Sequence, residues 1–254
     1  MIKKSNTLLS YADDEPPLRS ELFSAAQMQH HGRVLAGWHK VHPDKTPDLL
    51  LPRLADNENA LIVSCAALTE AVKENRQMTP AAEWLLDNFY LIEEQIRTAK
   101  QHLPKGYSKE LPRLLKGPSA GRPRVYDIAL ETISHGDGRV DPESLSQFVA
   151  AYQQVTVLQL GELWAIPIML RLALIENLRR VAVRIATSRL HCDSADIWAD
   201  QMINAAEKDP NSLILLVADM ARSDPMLDGS FVAKLVRRLR GQSPALTLPL
   251  TWLT

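Results

Sequence analysis

Apolar residues in this chain recur at three- and four-residue steps, the period of a helix with one buried face. The clearest run is 79–103, where Leu85, Phe89, Ile92, Ile96, Ala99 and Leu103 share a side. Thr79 is placed to cap this helix, and Pro80 suits a first turn whose N–H would be unpaired anyway. Glu83 comes one position late for a full capping box. Glu93 and Arg97 lie one turn apart on the opposite side, acid before base. Upstream, a helix is predicted from about Leu18 to Val41, with Leu22, Ala26, Val34, Leu35 and Trp38 as its apolar side and His42, Pro43 and Pro47 ending it. The next, from about Asp48 to Asn75, carries Leu51, Leu54, Leu61, Cys65, Leu68 and Val72 as a helix-on-helix seam interrupted by Glu58.

Beyond the prolines at 104, 112, 118 and 123 the helical pattern returns over about Pro123–Ser134. After the turn at His135-Gly136-Asp137-Gly138 it resumes with Asp141 as cap and Pro142 in the first turn, and Leu145, Phe148, Val149 and Tyr152 form the buried stripe. Leu160–Ala186 reads as a buried central helix kinked near Pro167. Shorter helices are expected around Ala195–Glu207, Ser212–Ala221 and Ser230–Arg240, with Asp209-Pro210 and Asp224-Pro225 as breaks. No alternating β-branched run nominates a sheet. The expected fold is all-α, a multi-helix bundle of two packed sub-bundles. A flexible arm (1–17) would lead into the first sub-bundle (18–104), a basic connector (105–122) and a second sub-bundle (123–254) cut short at its apolar end, SPALTLPLTWLT.

At 254 residues the chain can bury a substantial core, and its net charge of -1 exerts no global pull on nucleic acid or anionic lipid. Cys65 and Cys192 are too few and too distant for a disulfide framework or zinc site, which suits a reduced cytosolic compartment. No stretch approaches the roughly 20 apolar residues of a membrane span, and no signal-peptide core follows Lys3-Lys4.

Candidate chemistry is sparse. Glu93 and Glu94 suggest the carboxylate pair of glycoside chemistry, but adjacent helix positions diverge by about 100°, which favours a solvated face. His30, His31, His39 and His42 have no metalloprotease or zinc-finger spacing and read as surface or helix-end residues. HGDGRVDPE (135–143) fails as a calcium loop, with Pro142 where glycine is needed and Phe148 in place of the bidentate Glu. Local charge peaks in the connector, where Lys105, Lys109, Arg113, Lys116, Arg122 and Arg124 face one acid, Glu110. These six are the candidates for contact with an anionic lipid surface or a partner protein, against the plainer reading of a solvated loop. Lys234, Arg237, Arg238 and Arg240 form a weaker cluster without interleaved aromatics, so nucleic acid is not expected. No metal, cofactor or catalytic residue is assigned.

The segments TPAAEWLLDNFYLIEEQIR (79–97), LPKGYSKELPRL (103–114), GRPRVYDIALE (121–131) and LGELWAIPIMLRLALIENLRR (160–180) together resemble the N-terminal region of cyclic β-1,2-glucan synthases. The likeness runs from about Pro17 to the end of the chain. It implies a much longer enzyme at the inner membrane that uses UDP-glucose to build a β-1,2-glucan, adjusts its length and cyclises it, with the catalytic parts downstream. This chain has no Q-x-x-R-W motif, no D-x-D motif and no span, so no catalytic residue carries over. The resemblance implies a cytoplasmic helical scaffold whose partner is the downstream glycosyltransferase part or an equivalent membrane protein. A free-standing helical adaptor is the alternative, and a small autonomous glucan-acting enzyme ranks last.

Overall fold

The computed structural model describes residues 15–42, 47–103, 106–222 and 228–253, together with Leu8 and Tyr11. The fold is all-α. Ten α-helices occur among the described residues, with one antiparallel pair of two-residue strands. In chain order they are α1 (Ala25–Trp38), β1 (Val41–His42), α2 (Leu50–Lys73), α3 (Pro80–Asp87), α4 (Phe89–His102), β2 (Arg113–Leu114), α5 (Arg124–His135), α6 (Pro142–Gln153), α7 (Leu160–Lys208), α8 (Leu213–Arg222), α9 (Gly229–Leu239) and α10 (Thr247–Leu253). Two compact units divide them, Ser10–Arg184 and Met1–Leu9 with Ile185–Thr254. The expected connector at 105–122 lies inside the first unit, and the division falls within α7.

In the first unit, α1 starts at Ala25 rather than Leu18. Ser24 caps it, accepting from the Gln27 N–H while the Gln27 side chain accepts from the Ser24 N–H. Its buried face is Met28, Gly32, Leu35 and Ala36; of the expected stripe only Leu35 is buried, while Leu22, Ala26 and Trp38 are exposed. Gly32 sets the spacing to α6, because a Cβ there would meet the Phe148 ring and carbonyl at 2.9 Å. In α2, Leu54, Leu61, Cys65 and Leu68 are buried as expected, whereas Val72 is exposed.

The single helix expected from Thr79 to Leu103 is two. Asn88 takes φ −106°, ψ 10° and donates its side-chain N–H to the Trp84 carbonyl at 2.8 Å, so a local side-chain bond competes with the helix ladder. Leu85, Ile92, Ile96 and Ala99 nevertheless stay buried on one side. Asp141 caps α6 as expected, accepting from the Ser144 N–H at 2.8 Å.

The end of the expected flexible arm is fixed. Glu15 pairs with Arg53 and Arg179, and the Leu18 N–H donates to Asn177 Oδ1 at 2.9 Å. Residues 1–7 of that arm lie outside the described set, as do 9, 10 and 12–14. Leu8 is buried.

α7 runs 49 residues, through Pro167 and on past the expected end at Ala186. Neither glycine nor proline occurs between Ile168 and Lys208, so nothing in the sequence stops it until Asp209-Pro210. The separate helix expected at 195–207 is therefore its last part. There Ala195, Ala199, Met202 and Ala206 step by four, three and four residues onto a core completed by Leu213, Val217, Met220, Phe231, Leu235, Leu239 and Leu246. Asp228 caps α9, accepting from the Phe231 N–H at 2.8 Å. The expected break at Asp224-Pro225 lies outside the described residues.

Candidate functional site

A cleft of about 620 Å³ opens among the described residues of the first unit. It is lined by His31 and Trp38 of α1, by His39 just past the end of that helix, and by Asp127 and Glu131 of α5. The rest of the lining includes the turn from Leu114 to Arg122. It is closed by the Gly121 N–H donating to the Leu114 carbonyl (2.8 Å) and the Leu114 N–H donating to the Arg122 carbonyl (3.0 Å). Gly121 takes φ +76°, and a Cβ there would lie 3.0 Å from Leu49 Cδ1, so this turn requires glycine.

Two polar networks reach the cleft, one through His39 and Asp127 and the other through His31 and Glu131. In the first, His39 bridges Asp127 and Tyr152. A carboxylate only accepts, so His39 Nε2–H donates to Asp127 Oδ2 (3.1 Å), and Nδ1 accepts from the Tyr152 hydroxyl (2.9 Å). Burial pushes the Tyr152 phenol up to about 12, which keeps it a donor. In the second, Glu131 and His135 sit one turn apart on α5, and His31 reaches them from α1. His31 Nε2 lies 2.7 Å and His135 Nε2 3.3 Å from the same oxygen, Glu131 Oε2. His135 Nδ1 is 2.7 Å from the Glu21 carbonyl and must donate to it. The Phe23 ring stacks on His135 at 3.8 Å between centroids.

Two charge clusters tie the surrounding elements together. Glu176 of α7, wholly buried, accepts from Arg53 Nη2 (2.6 Å), Arg53 Nε (2.8 Å), Arg179 Nη2 (2.8 Å), Arg180 Nε (2.8 Å) and Asn57 Nδ2 (2.9 Å). Burial alone would raise its carboxyl, but the Arg53 hydrogen bonds and the charges of Arg53, Arg179 and Arg180 outweigh that and hold it well below the carboxylate range. Arg124 grips Glu162 with two bonds (2.6 and 2.7 Å) and donates to the Val157 carbonyl at 2.9 Å.

The six basic candidates do not form one surface. Arg113 and Arg124 are buried and belong to the interior: Arg113 donates to the carbonyls of Pro47, Gly121 and Ser108, and Arg124 is consumed by Glu162. Arg122 is half-buried, its guanidinium 5.8 Å from the Tyr126 ring centre. Lys109 and Lys116 are exposed, and Lys105 lies outside the described residues. In the second unit, Lys234 and Arg238 of the weaker cluster bind Asp196 at 3.1 and 3.0 Å. Glu93 and Glu94 are exposed, in keeping with a solvated face. His39 is a helix-end residue as expected, the C-cap of α1, though its side chain is only 6 % exposed, while His31 lies within α1 and belongs to a three-residue cluster. The sequence signal for that cluster is Glu131 followed four residues later by His135, a pair that becomes a site only when α1 brings His31 to it.

Fold and cleft thus define an all-helical domain whose polar clusters bind helix to helix. No family model matches the chain. Over 242 residues, 95% of its length, it is 31% identical to the cyclic beta-(1,2)-glucan synthase NdvB of Rhizobium meliloti strain 1021. The chain is thus similar to one region of a cyclic β-1,2-glucan synthase, as its sequence segments suggest. It spans 8% of the length of that relative. No helix of the described residues is long and apolar enough to cross a membrane.

Proposed function

We propose that this chain is a non-catalytic helical scaffold of a cyclic β-1,2-glucan synthase, the whole of which transfers glucose from UDP-glucose into a cyclic β-1,2-glucan at the inner membrane. The observation that carries this reading is the use made of the chain's buried charge. Glu176 and Glu162, the two fully buried carboxylates among the described residues, are each held by an arginine from another helix, Arg53 and Arg124. Such pairs fix one arrangement of helices, and neither of these two acids is free to protonate a leaving group. The carboxylates facing the cleft are engaged as well, Asp127 by His39 and Glu131 by His31.

The scaffold meets the catalytic part of the enzyme through surface left over from this packing: Lys109 and Lys116 in the first unit, and Leu248 and Trp252 in the second. The test combines two measurements on purified material. The isolated chain, incubated with UDP-glucose, should release no UDP. Mixed with a detergent-solubilised synthase lacking the equivalent region, it should co-elute and restore glucan synthesis. UDP release by the chain alone would overturn the scaffold reading, and failure to co-elute would favour a free-standing adaptor.

A further inference from the structure

We propose that His31, Glu131 and His135 form a binding site for a divalent transition metal of the zinc type. The reading does not depend on the scaffold role.

The argument starts with protons. The Glu21 carbonyl can only accept, so the short contact to His135 Nδ1 places a proton there, and in a neutral imidazole it is the one proton the ring carries. His135 Nε2 then presents a lone pair, and 3.3 Å away it meets Glu131 Oε2, another acceptor. Two lone pairs facing each other repel unless a cation lies between them. His31 Nε2 approaches the same oxygen from the other side at 2.7 Å, where it can donate a proton or, from the other tautomer, a third lone pair.

Three donor atoms, two imidazole nitrogens and a carboxylate oxygen, thus converge within 4.8 Å of one another. Zinc bonds of about 2.0–2.1 Å in a tetrahedron separate ligand atoms by roughly 3.3–3.4 Å. The Glu131–His135 separation already matches, and the His31 contact needs to open by about 0.6 Å on that geometry. The ion replaces the proton that His31 Nε2 donates to Glu131.

Surroundings fit the same use. A metal-bound histidine ordinarily donates its other N–H to a carbonyl or carboxylate, and His135 does so to Glu21. Phe23 stacks on its ring and restricts its rotation. The side chains are 19, 30 and 10 % exposed, sheltered yet reachable, and His31 and Glu131 line the cleft, which gives both an entry path and a fourth position for water or another oxygen donor. Two imidazoles with one carboxylate select zinc-like ions over calcium or magnesium.

The test uses the untagged full chain, stripped with a chelator and titrated with zinc chloride in a calorimeter and with cobalt chloride in a spectrophotometer. One equivalent should bind, with cobalt giving visible bands of low-coordinate intensity and zinc raising the melting temperature. Glu131→Gln and His135→Ala should each weaken binding about tenfold or more, the scale on which ligand-shell changes act. His30→Ala, a change at the exposed neighbouring position, should leave it unchanged. Circular dichroism confirms that each variant is folded, and Glu131→Gln, isosteric with the native residue, decides the matter if His135→Ala unfolds. A dissociation constant above 1 mM for the native chain, or equal affinity in native chain and folded Glu131→Gln, overturns the proposal and leaves a charged histidine as the cation in this cluster.

Discussion

Replacing Glu176 by glutamine removes one charge and no volume from the centre of the first unit. The native carboxylate accepts five hydrogen bonds, three at Oε1 and two at Oε2. The amide must place its NH2 at one of these positions, so at least two donors lose their acceptor. Bonds to charged groups contribute about 1.5–3 kcal/mol each, which gives a loss of about 3–6 kcal/mol. Breaking a buried ion pair from one side independently suggests about 3–5 kcal/mol. For a unit of this size that corresponds to a fall in melting temperature of roughly 6–20 °C. Thermal and urea unfolding followed by circular dichroism would measure it. The double change Glu176→Leu with Arg53→Met should recover part of the loss, since the cost lies in the stranded charge. A Glu176→Gln protein melting within about 2 °C of the native chain would refute this account of the cluster.

The same carboxylate gives a pH signature: its folded value lies below the ordinary 4.5, so its contribution is complete above that value and is lost as pH falls toward the folded one. Stability should therefore decline in acid below about pH 5, and the decline should be shallower in Glu176→Gln. Gly32→Ala should cost about 1–3 kcal/mol by driving a methyl into the Phe148 ring and carbonyl, read from urea midpoints. Cys65, buried and pushed up to about 12, should resist alkylation at pH 8 under native conditions, while Cys192, half-buried, reacts first; mass spectrometry of the modified peptides decides.

What could be read from sequence was what is local. Thr79 and Asp141 were legible as caps because a cap needs only its next three residues, and the α2 seam was legible because its buried positions repeat within the helix. Asn88 misled, since an asparagine inside a strong apolar pattern gives no sign that its side chain will take the Trp84 carbonyl. Arg113 and Arg124 looked like surface charge because Pro47 and Glu162, which claim them, stand 66 and 38 positions away. The cleft shares this difficulty: His31 and Glu131 are separated by 100 residues, and only the packed helices bring them together.

Distance along the chain also bears on how the protein is made. Glu15 meets Arg179 across 164 residues, and Leu18 meets Asn177 across 159. At about 5–20 residues per second, a ribosome takes on the order of 8–30 s between the two ends of that contact. For the 119 residues of synthesis that separate Asn57 from Glu176, Arg53 and Asn57 lack its carboxylate, so the first unit cannot close in the order in which it is synthesised. The nascent chain must hold six helices, α1 to α6, in waiting, and a chaperone that shelters them until α7 appears would act on this protein early and for a defined time.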